Sequence, residues 1–267
     1  MHGVSGGATF PRGCGLLQPD TRPPEIRLMT MSLRSARTVG VLAVTQLIGW
    51  GTTFETLGVL GRIIAPDLGL ANELVFAGLS VMMMVSAFAS PLVGRLLHRH
   101  GAARVLACGS LFFALGLVIL AWADGLASYA LAWIVLGFGG AFGLSAPAFT
   151  AVVEREGVAG KRSIAILLLF TGLSATIFWP LLSLFEAQFG WRTTFLCAAV
   201  LHVVLCLPLY LFGLPAPRAS GDLVHAEDHP PVPFDAATRR LAFLLVAMLA
   251  SLVARPARGA LAASLAA

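Results

Sequence analysis

Charge is scarce in this sequence. Asp, Glu, Lys and Arg make up 12% of its 267 residues, against 58% apolar, whereas a soluble domain carries roughly 25% charged residues. A surface that poor in charge cannot mostly face water, which excludes an ordinary soluble globular domain. A phosphate-binding loop of the G-x-x-x-x-G-K-[ST] type is missing as well, which excludes P-loop nucleotide hydrolysis. There are four cysteines: Cys14 near the N-terminus, and Cys108, Cys197 and Cys206 inside apolar runs. None forms a close-spaced pair, so no cysteine metal site and no cofactor is expected. The three in the runs read as small buried hydrophobes. Residues 1–31 hold Pro11, Pro23 and Pro24 but no apolar core of signal-peptide length. They read as a disordered extension, with Met29 and Met31 as alternative starts just ahead of Arg34 and Arg37.

Long apolar runs are what the sequence has in plenty. A hydrocarbon core about 30 Å thick needs about 20 apolar residues as helix. Runs of that size lie at about 39–60, 74–93, 105–123, 129–153, 163–185 and 194–214. Each must be helical, because lipid offers no partner to an exposed backbone N–H or C=O. The fold class is therefore an all-α membrane protein with six transmembrane helices. The formal charge is +5, but the arginines punctuate the runs instead of forming one patch. That favours anionic lipid headgroups as their partners and argues against nucleic acid. Fourteen basic residues fall before the first run and in the even-numbered connections, and only Arg62 and Arg192 lie on the other side. The positive-inside rule then puts the N-terminus and the even connections in the cytoplasm, as in a bacterial-type inner membrane.

Four segments are expected: an extension over 1–37, a six-helix bundle over 38–214, a cytoplasmic Pro-rich linker over 215–240, and a partial seventh helix with its tail over 241–267. The linker carries Pro215, Pro217, Pro230, Pro231 and Pro233. The apolar stretch 241–254 is too short to span, and Arg255, Pro256 and Arg258 interrupt it. The chain reads as cut off inside that helix, or as read into a wrong frame there.

The second connection reads Gly94-Arg95-Leu96-Leu97-His98-Arg99-His100-Gly101-Ala102-Ala103-Arg104-Val105-Leu106. It resembles the G-x-L-a-D-r-x-G-r-k-x-v-l signature between helices 2 and 3 of the major facilitator superfamily. Gly94, Leu96, Arg99, Gly101, Val105 and Leu106 match. His98 stands at the acidic position, and Arg104 lies one place beyond the second basic position. The segments Ile64-Ala65-Pro66-Asp67-Leu68-Gly69-Leu70 and Gly190-Trp191-Arg192 resemble the family's stretches after helix 1 and before helix 6. The resemblance covers about 38–214. It implies half of a secondary transporter, built as two inverted three-helix repeats and moving a small solute by gradient-driven alternating access. A second six-helix half, or a second copy, would be the partner. Gly49-Trp50-Gly51-Thr52-Thr53-Phe54 and Gly137-Phe138-Gly139-Gly140-Ala141-Phe142 both read G-[WF]-G-x-x-F, in the first and fourth runs. In the family the acidic residue of the turn latches the two halves, a role His98 cannot fill by negative charge. Gly94, His98, Arg99, Gly101 and Arg104 form the expected cytoplasmic gating turn.

Gln46, Gly49, Trp50, Thr53 and Thr56 share one helical face of the first run. The face suits a substrate cavity, and it equally suits helix packing, where small and hydroxyl residues gather. Thr171 and Ser174 in the fifth run join the cavity candidates, beside Trp179 and Pro180. Glu55 is the acidic residue well inside a run. Burial favours the protonated carboxyl, so Glu55 is a candidate for proton coupling. Its place near the outer quarter of the run also fits a solvated interfacial residue. Gly139 and Gly143 form a G-x-x-x-G pair for close helix packing. Two other readings stand beside transport. One is a transport-inactive fragment or scaffold needing a partner half. A remote one is an intramembrane serine protease, because Gly172-Leu173-Ser174-Ala175 and His202 resemble the serine and histidine of rhomboid-type enzymes.

Overall fold

The computed structural model describes residues 32–157 and 160–217. The expected extension up to Met31, the linker from 218 onward and the seventh run lie outside the described residues. Within them the chain is helical, with no strand. The helices are α1 (Leu33–Gly51), α2 (Phe54–Asp67), α3 (Asn72–His100), α4 (Ala102–Ala121), α5 (Leu126–Gly143), α6 (Ser145–Glu156), α7 (Gly160–Gly172) and α8 (Ser174–Leu201). Two π-helical stretches, His202–Cys206 and Leu209–Gly213, continue α8. Pro208 between them has no N–H to give, and a widened π-turn is one way a helix accommodates that loss.

The first, fourth and fifth apolar runs are interrupted where their sequence weakens the helix. Between α1 and α2 the Thr52 and Thr53 hydroxyls donate to the Ile48 and Gly49 carbonyls at 2.7 and 2.6 Å. Side chains that bond back in this way bend helices, and Gly49 and Gly51 lower the local helical preference further. Leu144, with φ −91° and ψ −155°, divides α5 from α6 directly after Gly143. Leu173 divides α7 from α8 directly after Gly172. Gly190 breaks α8 itself, at φ 76° and ψ 163°, a backbone state open to glycine and strained for other residues.

Four helical stretches are long and apolar enough to cross a membrane: α3, α4, Leu126–Glu156 and Gly160–Gly213. The last has 54 residues and would run to about 80 Å if straight, far more than a hydrocarbon core of about 30 Å. The Gly190 break divides it near the boundary between the fifth and sixth apolar runs. The first run is carried by α1 and α2 together.

The helices touch most closely where glycine faces glycine or an aromatic ring. A Cβ built on Gly109 of α4 would lie 2.6 Å from both the Cα and the N of Gly143. One on Gly139 would meet Phe113 at 2.7 Å, and one on Gly137 would meet Val85 at 2.6 Å. The small-residue surface of α5 therefore packs on α3 and α4 together. Tyr129, Trp133, Leu136, Phe113 and Leu117 fill the core between them, and the Tyr129 hydroxyl donates to the Val75 carbonyl at 2.6 Å. Outward faces stay apolar, with Met84, Phe88, Leu169, Leu184 and Val204 all more than half exposed, as a lipid-facing surface requires. Two of the three run cysteines depart from expectation. Cys108 and Cys197 are exposed and only Cys206 is buried, because in an apolar solvent the outer face accepts the same small hydrophobes as the core.

Candidate functional site

Glu55 opens the second segment of the broken first run, and α8 supplies both of its hydrogen-bond donors. Trp179 Nε1 donates to Oε2 at 2.6 Å, and Ser174 Oγ donates to Oε1 at 3.4 Å. Gly58, one turn on, has no side chain, so the Trp179 ring lies against α2; a Cβ there would stand 3.2 Å from it. Ser174 is buried, Glu55 half-buried, and Trp179 50% exposed. The structure thus joins two residues singled out from the sequence, Glu55 and Ser174, with Trp179, whose role could not be seen without the fold. Thr171 stands apart, donating to its own helix at Leu167.

Helix α2 continues to Asp67, so the Glu55 carboxylate lies about 18 Å from that end at 1.5 Å per residue. At the other end Arg37 donates to the Gly213 and Phe212 carbonyls at 2.8 and 3.0 Å. Between Arg37 and Asp67 the midpoint is Thr52, and Glu55 lies roughly 5 Å beyond it by helical rise.

The polar face of the first run is buried. Gln46 is 1% exposed and donates through Nε2 to the Gly143 carbonyl, at the α5–α6 break, over 2.7 Å. Thr53 and Thr56 are turned onto the Gly49 and Gly51 carbonyls. Trp50 is half-buried and stacks on Phe54 with ring centroids 4.4 Å apart. Among the described residues Gln46 Oε1 and Trp50 Nε1 have no hydrogen-bond partner. In this conformation the face therefore joins the first run to the fourth instead of lining an open cavity, while two of its polar atoms remain unspent.

The turn between α3 and α4 is built on Gly101, at φ 77° and ψ 159°, which ends one helix and begins the next. Gly94 is half-buried, and His98, Arg99 and Arg104 are exposed. Glu154 supplies a carboxylate that the sequence reading missed. Both of its oxygens accept from the Ala102 N–H, at 3.0 and 3.2 Å, where a helix N-terminus favours negative charge. Arg155, 2% exposed, donates to the Pro215 carbonyl and meets Glu154 at 3.3 Å. At the opposite end, Arg192 donates to the Ala121 and Ala123 carbonyls at 3.0 and 2.8 Å, satisfying the last turn of α4. It also stacks 4.3 Å over Trp191, whose Nε1 donates to Asp67 at 3.0 Å.

The serine and histidine of the protease reading are engaged separately. Ser174 is held on Glu55, whereas His202 Nε2 lies 2.9 Å from Thr52 Oγ1. Since the Thr52 hydroxyl proton goes to the Ile48 carbonyl, the imidazole is the donor of that pair.

The family model described as Major Facilitator Superfamily matches residues 39–265. The chain belongs to the Major Facilitator Superfamily. Membership accounts for the apolar helices and identifies a membrane transporter. The match extends beyond the stretch, ending near 214, in which the resemblance was legible. Among curated proteins, no match to the chain is found. The Gly101 turn joins α3 to α4 within the matched region, with His98 exposed.

Proposed function

We propose that this chain supplies a six-span bundle of a gradient-driven transporter of a small solute, with Glu55 on the transport route. The carrying observation is a carboxylate near the midpoint of a broken span, held by Trp179 and Ser174 from a second span. Ionisable groups at that depth are costly and mark substrate or proton pathways, and broken helices near the midplane are where transporters of this architecture bind. A proton taken up by Glu55 would couple solute movement to the proton gradient. Gln46, Trp50, Thr53 and Thr56, with Thr171 and Ser174, would meet the solute as the first and fourth spans part at their breaks.

The same reading holds that the six spans form two inverted repeats within 38–214. Two registers support it. The G-[WF]-G-x-x-F segments begin at Gly49 and Gly137, 88 residues apart. The glycine breaks at Gly101 (φ 77°, ψ 159°) and Gly190 (φ 76°, ψ 163°) share one backbone conformation and lie 89 residues apart. Contacts at the ends follow the same exchange. Asp67, closing the first span, is bonded to the start of the sixth, and Glu154, closing the fourth, to the start of the third. Rocking also needs an opposing bundle, and the N-terminus and even connections would face the cytoplasm of a bacterial-type inner membrane.

The experiment is gradient-driven uptake in proteoliposomes across a panel of organic anions, sugars and drugs, comparing the wild type with Glu55→Gln. Uptake by the wild type that falls at least tenfold in the variant supports the reading. Equal uptake by both would remove Glu55 from the route.

A further inference from the structure

The charge, the surroundings and the neighbouring cavity of Glu55 together restrict what it can receive. Its two donors, an indole N–H and a hydroxyl, are neutral, so they bring no positive charge to the carboxylate. The ion pairs of the described residues, such as Arg155–Glu154 and Arg192–Asp67, lie at the span ends. No Lys, Arg or His among those residues is within ion-pair distance of Glu55. A half-buried negative charge about 5 Å from the midpoint is therefore left to be matched by whatever enters. The wall beside it is aromatic: Trp179 keeps half its surface open, and the π-face of tryptophan attracts cations. One turn from Glu55 lies a cavity of about 260 Å³, lined by Thr52, Phe178, Leu181, Leu182 and Leu201 among others. Charged groups are absent from that lining, which suits an apolar body.

We propose that this site takes a cationic solute with an apolar or aromatic body, its positive centre between the Glu55 carboxylate and the Trp179 ring and its body in the adjoining cavity. The proposal rests on the reading that Glu55 faces the transport route, and adds the substrate class. An organic anion would meet repulsion in a medium that screens charge poorly. A neutral solute would leave the carboxylate unmatched.

Purified full-length chain in detergent, at fixed pH, is dialysed to equilibrium against tetraphenylphosphonium and, separately, against tetraphenylborate. The two ions match in shape and differ in sign, and neither can deliver a proton. The wild type should bind the cation at least tenfold more tightly than the anion, after subtraction of uptake by empty micelles. Glu55→Gln should lose at least tenfold in cation affinity, and Trp179→Phe, which keeps a ring but removes the indole N–H, should lose less. Equal binding of the two ions by the wild type, a comparison needing no variant to fold, would overturn the proposal. So would unchanged cation binding in a Glu55→Gln protein whose unfolding temperature matches the wild type. Failure here is separable from failure of the transport reading. Glu55-dependent uptake of a panel solute without cation preference would refute the substrate class alone. Selective cation binding without any uptake would support the class and refute the transport role.

Discussion

The close approach of α4 and α5 gives a stability experiment in which two identical substitutions should have opposite signs. At Gly109 a methyl group would sit 2.6 Å from the Cα and N of Gly143 and 2.8 Å from the Phe142 carbonyl carbon. All three are backbone atoms, so no rotamer can move aside. Carbon atoms rest about 3.5–4.0 Å apart, so the helices must separate by about 1 Å. Overpacking of this kind costs about 1–3 kcal/mol. Against it stands the gain of about 0.5–1 kcal/mol from replacing a helical glycine by alanine, leaving a net loss of about 1–2 kcal/mol. Gly40, inside α1, has nothing within 4 Å of its added Cβ, so only the gain applies there. At about 2–4 °C per kcal/mol, Gly109→Ala should unfold about 2–8 °C earlier than the wild type, and Gly40→Ala about 1–4 °C later. Circular dichroism of the purified chain in detergent measures both. Two shifts of the same sign and size would refute the assignment of Gly109 to a backbone-to-backbone contact.

Arg192→Ala removes two carbonyl caps and a stacked ring together, and should destabilise by about 1–3 kcal/mol. Asp67→Asn loses only a half-exposed 3.5 Å ion pair, a loss of less than about 1 kcal/mol, and the reverse ranking in thermal unfolding would contradict the capping role. Reporter fusions after Asp124 and after Pro217 should label opposite sides of the membrane, the second cytoplasmic; same-side labelling overturns the span count. His98→Asp puts a carboxylate into the exposed turn between α3 and α4 and should change the rate of gradient-driven uptake; equal rates in the two proteins sink the idea.

The apolar runs, the glycine pair Gly139 and Gly143, and the Gly94–Leu106 turn were legible because each depends on spacing along a single helix or turn. The partners of Glu55 were not. Nothing in one dimension puts Trp179 and Ser174 opposite position 55, since that pairing depends on how two broken spans cross. How far α2 runs was hidden for a related reason. Arg62, Pro66 and Asp67 end the apolar pattern near residue 60, but α2 keeps its helix to Asp67, with Asp67 meeting Arg192 and Trp191 at the end of the bundle. Glu154 was overlooked because a carboxylate at the end of an apolar run looks like ordinary solvated charge. Its partner is a backbone N–H, 52 residues away in sequence, which carries no residue signature. The Gln46 face shows the converse limit, since periodicity found the shared face but could not say whether it meets solute or another helix.

The central claim, that Glu55 is a midplane group reached by water-soluble molecules along a route between spans, can be measured directly. Glu55→Cys is made in a chain whose four native cysteines are replaced by alanine, then spin-labelled and placed in lipid bilayers. Collision with dissolved oxygen and with a water-soluble nickel chelate then reports depth and access. The account predicts a label within about 5–10 Å of the bilayer centre that the nickel chelate nevertheless reaches. A label at headgroup depth, or one at the centre open to oxygen alone, would contradict it.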